Sequence, residues 1–316
     1  RIYTNAWSKL EINRCRYGLM LGEDGMVMDD GVSARLGDNH YYMTTTTGGA
    51  AHVLGWLERW HQTEWPELEV FFTSVTDRWA VASIAGPNSR SLLSRLCSDI
   101  DLSADAFPFM SLREGSVAGI NARVFRISFS GELAFEINVP ADDGFALWEL
   151  LMEAGGEYDI TPYGTETMHV LRAEKGYVIV GQDTDGSVTP SDLGMDWIVS
   201  KTKDFIGKRS LVRSDMLREN RKQLVGLLTD QPETVLPEGT QLVNEPSTDY
   251  PVPMTGHVTS SYYSSILGHS IALALVKGGL SRLGGSVYAP TLDGQLIKAT
   301  ITSPVFYDPE NKSHKT

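Results

Sequence analysis

The most constraining feature of this sequence is an alternation of apolar and polar residues over positions 122–139, ARVFRISFSGELAFEINV. A period of two is typical of a β-strand, and the turn residues at 130–132 divide the stretch in two, so it predicts a β-hairpin. On the second strand the apolar side chains from Phe135 to Val139 share one face. Glu136 is therefore predicted on the opposite face, away from the core.

The first half of the chain adds strands and helices around this hairpin. Residues 17–47 alternate apolar strands with turn signals, which predicts an antiparallel meander. Turns are expected at 22–25, 29–31 and 37–39. Apolar residues at helical spacing predict a helix over 48–62, and a strand is predicted over 80–85. The run GPNSRSLLSRL at 86–96 predicts a turn that enters a helix, with Asn88 or Ser89 as its cap.

The second half changes character near its middle. Helices are predicted over 144–154 and 164–174, followed by a strand at 177–180. A charged stretch near 218–222 reads as a linker, and strands with Gly and Pro turns dominate after it. The predicted fold class is therefore α+β, with antiparallel sheets and helices over residues 1–215 and a C-terminal β-barrel over 216–316.

Charge and composition exclude several functions. The 40 acidic and 27 basic residues give a net charge of −13, which disfavours nucleic-acid binding because it repels a phosphate backbone. No apolar run approaches the ~20 residues that span a bilayer, so no membrane association is expected. Two cysteines cannot form a disulfide framework or a four-ligand zinc site. A cytoplasmic protein without a bound metal is predicted.

Common catalytic motifs are missing from the sequence. The IGK at 206–208 has Thr202 where a P-loop needs glycine, and the glycine pairs do not form GxGxxG. HExxH, CxxC and GxSxG are also absent. With no flavin or nicotinamide motif, the chain alone is not expected to oxidise a substrate.

Several longer segments nevertheless occur in a recognisable order. They are YGLMLGEDGMVMDDGVSARL, AGPNSRSLL, SGELAFEI, LRAEKGYVIVGQDTDGSVTPSDLGMDW, DFIGKRSL and GHVTSSYYSSILGHSIALALV. In this order they resemble the aminomethyltransferase (glycine-cleavage T-protein) family over nearly the whole chain. The segments TTTT, HQTEWPELEVFFTSVTDRWAV and SPVFYDPE are most similar to the C-terminal, tetrahydrofolate-binding region of the alpha subunit of heterotetrameric sarcosine oxidases. A strand and helix that open the family fold are missing before RIYTN, so the chain is expected to be a fragment.

The resemblance implies tetrahydrofolate as the bound cofactor, in an aminomethyltransferase-like domain over 1–215. Glu136 takes the position of the family's pterin-recognising glutamate, which suits the two coplanar acceptors of a carboxylate. Phe129 and Arg172 are carried over as further folate-binding residues, and Lys175 is a candidate folate-binding residue in a basic rim of the site. Taken singly, Glu136 is more typical of a solvated strand-face charge, and Arg172 of a surface helix end.

Basic residues near the middle of the chain could also contact the glutamate tail of folate. The candidates besides Lys175 are Lys201, Lys203, Lys208 and Arg209. Ordinary surface charge is the alternative interpretation for all of them.

The family's acid–base aspartate has no counterpart at the aligned position. Val53 stands there, next to His52, which is a weak alternative candidate; Met168 replaces one of the family's arginines. The catalytic residue is thus left unassigned. An imine is already electrophilic, so we expect such a module to act by binding and proximity more than by acid–base catalysis.

The expected reaction follows from the same resemblance. The one-carbon unit of oxidised sarcosine would pass to tetrahydrofolate, giving 5,10-methylenetetrahydrofolate and glycine. FAD, FMN and NAD would lie outside this chain, and the other sarcosine oxidase subunits would be its partners. A free-standing aminomethyltransferase and a non-catalytic folate-binding or scaffold module are the alternatives.

Overall fold

A computed structural model describes residues 1–247 and 251–315, and its fold is α+β. Internal contacts divide the chain into two compact units. The sheet unit contains residues 6–18, 29–163 and those from 311 onward, and the barrel unit contains residues 1–5, 19–28 and 164–310. The domain boundary at 215/216 stays a prediction.

The predicted meander is a three-stranded antiparallel sheet with strand order β1-β2-β3. Its strands are β1 (Cys15–Leu21), β2 (Val27–Gly37) and β3 (His40–Met43). The turn expected at 29–31 is wrong, because these residues continue β2. Gly31 is required there for a different reason: a Cβ at this position would overlap the carbonyl oxygen of Thr44.

A four-stranded antiparallel sheet forms the centre of the sheet unit, with strand order β4-β7-β6-β5. Its strands are β4 (Trp79–Ala85), β5 (Ser111–Val117), β6 (Ile120–Arg126) and β7 (Ala134–Pro140). The predicted hairpin is the β6–β7 pair, whose register places Phe125 opposite Glu136. On its other side β7 pairs with β4, the edge strand of this sheet.

Helices cover one face of this sheet. They are α2 (Ser89–Leu96) and α3 (Gly144–Gly155). Two further helices, α1 (Ala50–Glu64) and the short α5 (Lys312–Lys315), also belong to the unit. Leu92 and Leu93 of α2 and Leu147 of α3 pack against Phe135 and Ile137 of β7 in one buried cluster. This burial explains the alternation in β7, since the odd-numbered side chains enter the core.

In the barrel unit, α4 (Thr165–Glu174) precedes the barrel strands. The strand predicted at 177–180 is wrong, because these residues form turns and irregular backbone. The Tyr177 amide donates to the carbonyl oxygen of Arg172 in α4 at 2.9 Å instead of to a strand. A short apolar run therefore does not suffice to predict a strand here.

The predicted C-terminal barrel is closed, with strand order β10-β11-β8-β13-β12-β9 in the described residues. Its strands are β8 (Lys222–Thr229), β9 (Gln241–Val243), β10 (Met254–Ser264), β11 (His269–Lys277), β12 (Ser286–Pro290) and β13 (Leu296–Thr302). Inward side chains such as Val225, Leu227 and Val287 fill its interior.

Two kinds of feature are absent from the described residues. None of their helices is long and apolar enough to cross a bilayer. Within the same residues no group of three or more His, Cys, Asp or Glu side chains could hold a metal ion.

Candidate functional site

A small pocket opens on the face of β7 that is turned away from the core. Its lining residues are Val32, Tyr42, Thr44, Phe125, Ile127, Glu136 and Asn138. The empty volume is about 200 Å³. The predicted strand alternation thus places Glu136 in a concave, mostly apolar site, as is typical of ligand pockets.

The carboxyl group of Glu136 lacks a partner within the part of the chain that the structure describes. None of these residues donates a hydrogen bond to its oxygens or forms an ion pair with it. Burial raises its pKa to about 7, because the charged form is poorly solvated. Two acceptor oxygens therefore face the pocket with their hydrogen-bonding capacity unused.

Two aromatic rings flank the pocket. Tyr42 and Phe125 have ring centroids 5.8 Å apart with planes inclined at 37°. Arg123 lies over the Tyr42 ring at 5.5 Å and is held by Glu114 at 2.7 Å. The rings offer flat apolar faces for a planar ligand, and Arg123 keeps Tyr42 in place.

The polar residues of the wall are held by local bonds. The hydroxyl of Thr44 donates to the Val32 carbonyl oxygen at 2.9 Å and accepts from the Val32 amide at 3.0 Å. Asn138 Nδ2 donates to the Glu136 carbonyl oxygen at 3.4 Å. These bonds leave Glu136 as the unpartnered charged group of the described pocket wall.

A pair of aspartates lies near the start of β2. The Asp29 carboxylate accepts from the backbone amides of Asp30, at 2.7 Å, and Thr46, at 3.1 Å. Asp30 accepts from the Tyr17 hydroxyl at 2.6 Å, and burial raises the pKa of its carboxyl. These bonds fix the Thr-rich segment after β3, so the aspartates organise the chain around the site.

Phe129 does not line the pocket. It lies half-buried in the connection between β6 and β7, and the rings that do line the pocket are Tyr42 and Phe125. Tyr42 is not among the predicted site residues, because nothing in HYYM indicates which face of that strand will meet Glu136. Its position in the last meander strand was the available signal.

Arg172 lies in the barrel unit and is fully buried. Its guanidinium forms a salt bridge with Asp183 and donates to the Ser260 hydroxyl at 2.6 Å and the Tyr177 carbonyl oxygen at 3.0 Å. The Asp183 carboxylate also accepts from the Thr259 hydroxyl at 2.6 Å. This network gives Arg172 a structural role, and direct contact with a ligand stays a prediction.

Lys175 is also buried in the barrel unit, where its Nζ donates to the Asp308 carbonyl oxygen at 2.6 Å. Lys203 and Lys208 donate to backbone carbonyl oxygens of Tyr3 and Lys203 respectively. Two candidates for contacting an anionic tail remain exposed, Lys201 and Arg209.

His52 and Val53 lie in the first turn of α1, and their environments differ. Val53 is 2% exposed and packs inward, whereas His52 is exposed. Val53 has no acidic group, and neither Val53 nor His52 lines the pocket that contains Glu136.

Comparisons with known proteins point to one family along most of the chain. Residues 1–203 match the family model described as the GCVT N-terminal domain, and residues 222–308 match the glycine cleavage T-protein C-terminal barrel domain. The chain is 54% identical over 313 residues to the sarcosine oxidase subunit alpha of Corynebacterium sp. (strain P-1). That match covers 98% of this chain but 32% of the relative, so the chain spans about a third of that protein's length.

Similarity extends to aminomethyltransferases. The Thermotoga petrophila aminomethyltransferase is 27% identical over 306 residues, with 97% of this chain and 79% of that protein covered. The crystal structure of the glycine cleavage system aminomethyltransferase T from Bartonella henselae superimposes with a TM-score of 0.82. It is 22% identical, with 98% of this chain and 80% of that chain covered, which shows a shared fold.

Proposed function

Because this chain belongs to the glycine cleavage T-protein family, we propose that it is a tetrahydrofolate-binding module for one-carbon transfer. The carrying observation is the unpartnered carboxyl of Glu136 in an aromatic-flanked pocket. A pterin presents a ring N–H beside an exocyclic amine, which matches the two oxygens of one carboxylate.

The residues of the pocket fit such a ligand. A half-buried carboxyl without a partner lowers stability, so its presence is best explained by a ligand that supplies the missing hydrogen bonds. Tyr42 and Phe125 offer ring faces to a planar heterocycle. Paired N–H donors would also favour the charged form of Glu136 and so lower the pKa of its carboxyl in the complex.

Bound tetrahydrofolate supplies the amine nitrogens that take up the one-carbon unit. In our proposal the residues of this chain bind and orient it: Glu136 fixes the pterin edge, and the ring pair fixes its plane. Val53 provides no acid or base, so positioning is proposed to carry most of the acceleration. Effective molarity can lower a barrier by about 7–11 kcal/mol.

We further propose that the module acts within a sarcosine oxidase assembly. The support is the 54% identity to a sarcosine oxidase subunit alpha over nearly the whole chain. In this assembly FAD, FMN and NAD would be bound outside residues 1–316, together with the partner subunits. The module would receive the oxidised sarcosine imine and release 5,10-methylenetetrahydrofolate and glycine.

Isothermal titration with tetrahydrofolate tests the binding proposal. Wild-type protein should bind, and Glu136→Gln should weaken binding by at least tenfold, because the amide replaces one of the two acceptor oxygens with an NH2 donor that would face a ligand N–H. Glu153→Gln is the matched control, since Glu153 is an exposed glutamate on α3 of the same unit. A folded protein without measurable binding would refute the proposal.

The transfer step needs the assembled enzyme. With sarcosine and tetrahydrofolate supplied, Glu136→Ala should abolish methylenetetrahydrofolate formation while sarcosine oxidation continues. Unchanged methylenetetrahydrofolate yield in a correctly assembled variant would leave the chain with a scaffold role.

A further inference from the structure

Ser83 stands directly opposite Glu136 where β4 pairs with β7. Directly opposite residues of antiparallel strands project to the same face, with Cβ atoms about 4.5–5.5 Å apart. Ser83 is exposed, on the edge strand of the sheet. The Ser83 hydroxyl is therefore a neighbour of the Glu136 carboxyl, although Ser83 is not one of the residues that line the pocket.

The pocket encloses only part of a planar heterocycle, because its empty volume of about 200 Å³ includes open solvent. A ligand seated on Glu136 must therefore extend beyond the pocket walls across the sheet face.

The two sides of β7 differ in accessibility. Towards β6, Phe125 and Ile127 are buried, and the Tyr42 ring packs on Phe125. Towards β4, Ser83 is exposed and Val81, which pairs with Asn138, is 55% exposed. The sheet face thus continues openly from Glu136 onto β4 and is closed towards β6.

We propose that Ser83 and Val81 form a second part of the ligand site, in which the Ser83 hydroxyl hydrogen-bonds a polar atom of the ligand bound by Glu136. The ligand class is a planar heterocycle with polar atoms on two adjacent edges. Val81 contacts its apolar surface. This inference rests on the proposed function of Glu136 and extends that site onto the edge strand.

The serine hydroxyl suits this role because it both donates and accepts. No described residue forms a hydrogen bond with the Ser83 side chain, so the group is available to a ligand. Because Ser83 and Val81 are exposed, substitutions at both positions leave the core cluster of the sheet intact.

Titration of tetrahydrofolate into the protein tests the inference with two variants. Ser83→Ala should raise the Kd about threefold to tenfold, the range expected for one hydrogen bond. Ser83→Trp should raise it by on the order of a hundredfold, because an indole would occupy the open face. Ser98→Ala is the control, an exposed serine of the same unit outside the pocket, and should bind as wild type.

The outcomes separate this inference from the proposed function. If Glu136→Gln loses affinity while both Ser83 variants bind as wild type, the β4 extension is wrong and the function of Glu136 stands. If the wild-type protein does not bind tetrahydrofolate at all, both are wrong. Circular dichroism of each variant verifies that the fold is retained.

Discussion

The guanidinium of Arg172 and the carboxylate of Asp183 form a salt bridge that is completely buried within the barrel unit. Asp183 accepts additional hydrogen bonds from Thr259, Ser260 and the Ile179 amide. These bonds hold the Arg172 side chain between α4 and β10. Through Ser260, the pair joins α4 and the segment after it to β10, the barrel strand on which α4 packs.

Arg172→Ala should therefore destabilise the protein strongly. Removal of one partner leaves a buried charge uncompensated, which costs about 3–5 kcal/mol. Chemical denaturation measures this loss. Lys298→Ala, which breaks an exposed pair with Asp230, is the control and should cost about 0–1 kcal/mol. Equal small effects at both positions would contradict a structural role for Arg172.

Glu136 should make stability depend on pH. The folded-state pKa is about 7, above the ordinary value of 4.5, so the folded protein holds this proton more tightly than the unfolded chain. Burial of the charged Glu136 carboxylate therefore lowers the stability of the folded protein. This loss is absent below about pH 4.5, grows as the pH rises to about 7, and is complete above pH 7. Glu136→Gln removes it.

The measurement is urea denaturation at pH 5 and pH 8. The stability gain of Glu136→Gln over wild type should be about 1–3 kcal/mol larger at pH 8 than at pH 5, allowing for partial solvent exposure. Glu153→Gln should show no such difference. A gain that is constant across this pH range would mean that Glu136 titrates normally.

Val53→Asp should lower stability by about 2–4 kcal/mol, because Val53 is 2% exposed and a carboxylate there would be buried without a partner. From the sequence alone we expect this substitution to change turnover little. Activity must therefore be measured per folded molecule, at a temperature below the unfolding transition. A tenfold gain in methylenetetrahydrofolate yield would contradict catalysis by proximity. His52→Ala, at an exposed neighbour, should change stability little.

The two cysteines should be unreactive in the native protein. Burial raises the pKa of the Cys15 and Cys97 thiols to about 12, so the reactive thiolate is scarce at pH 8. Labelling with a thiol reagent should be slower than in the unfolded chain by on the order of a hundredfold or more. Stoichiometric labelling within seconds under native conditions would show that these sites open easily.

Much of the fold was predictable because local patterns agree with the tertiary environment. The alternation around Phe135 and Ile137 placed both side chains in the core and Glu136 on the other face, as observed. Predictions failed where a pattern was locally ambiguous. Asp29 and Gly31 resemble a turn, yet both lie in β2, and a glycine is needed at 31 because the Thr44 backbone approaches it closely.

The sequence by itself determined the family, the α+β class and the face on which Glu136 lies, since all three follow from ordered motifs and a strand period of two. Only the tertiary structure decided that Tyr42 and Phe125, not Phe129, flank that carboxyl. It also decided that Arg172 and Lys175 are engaged in buried bonds. The physical reason is that burial and partner choice depend on strands far apart in sequence. The environment that raises the pKa of Glu136 therefore exists only once β3, β6 and β7 have come together.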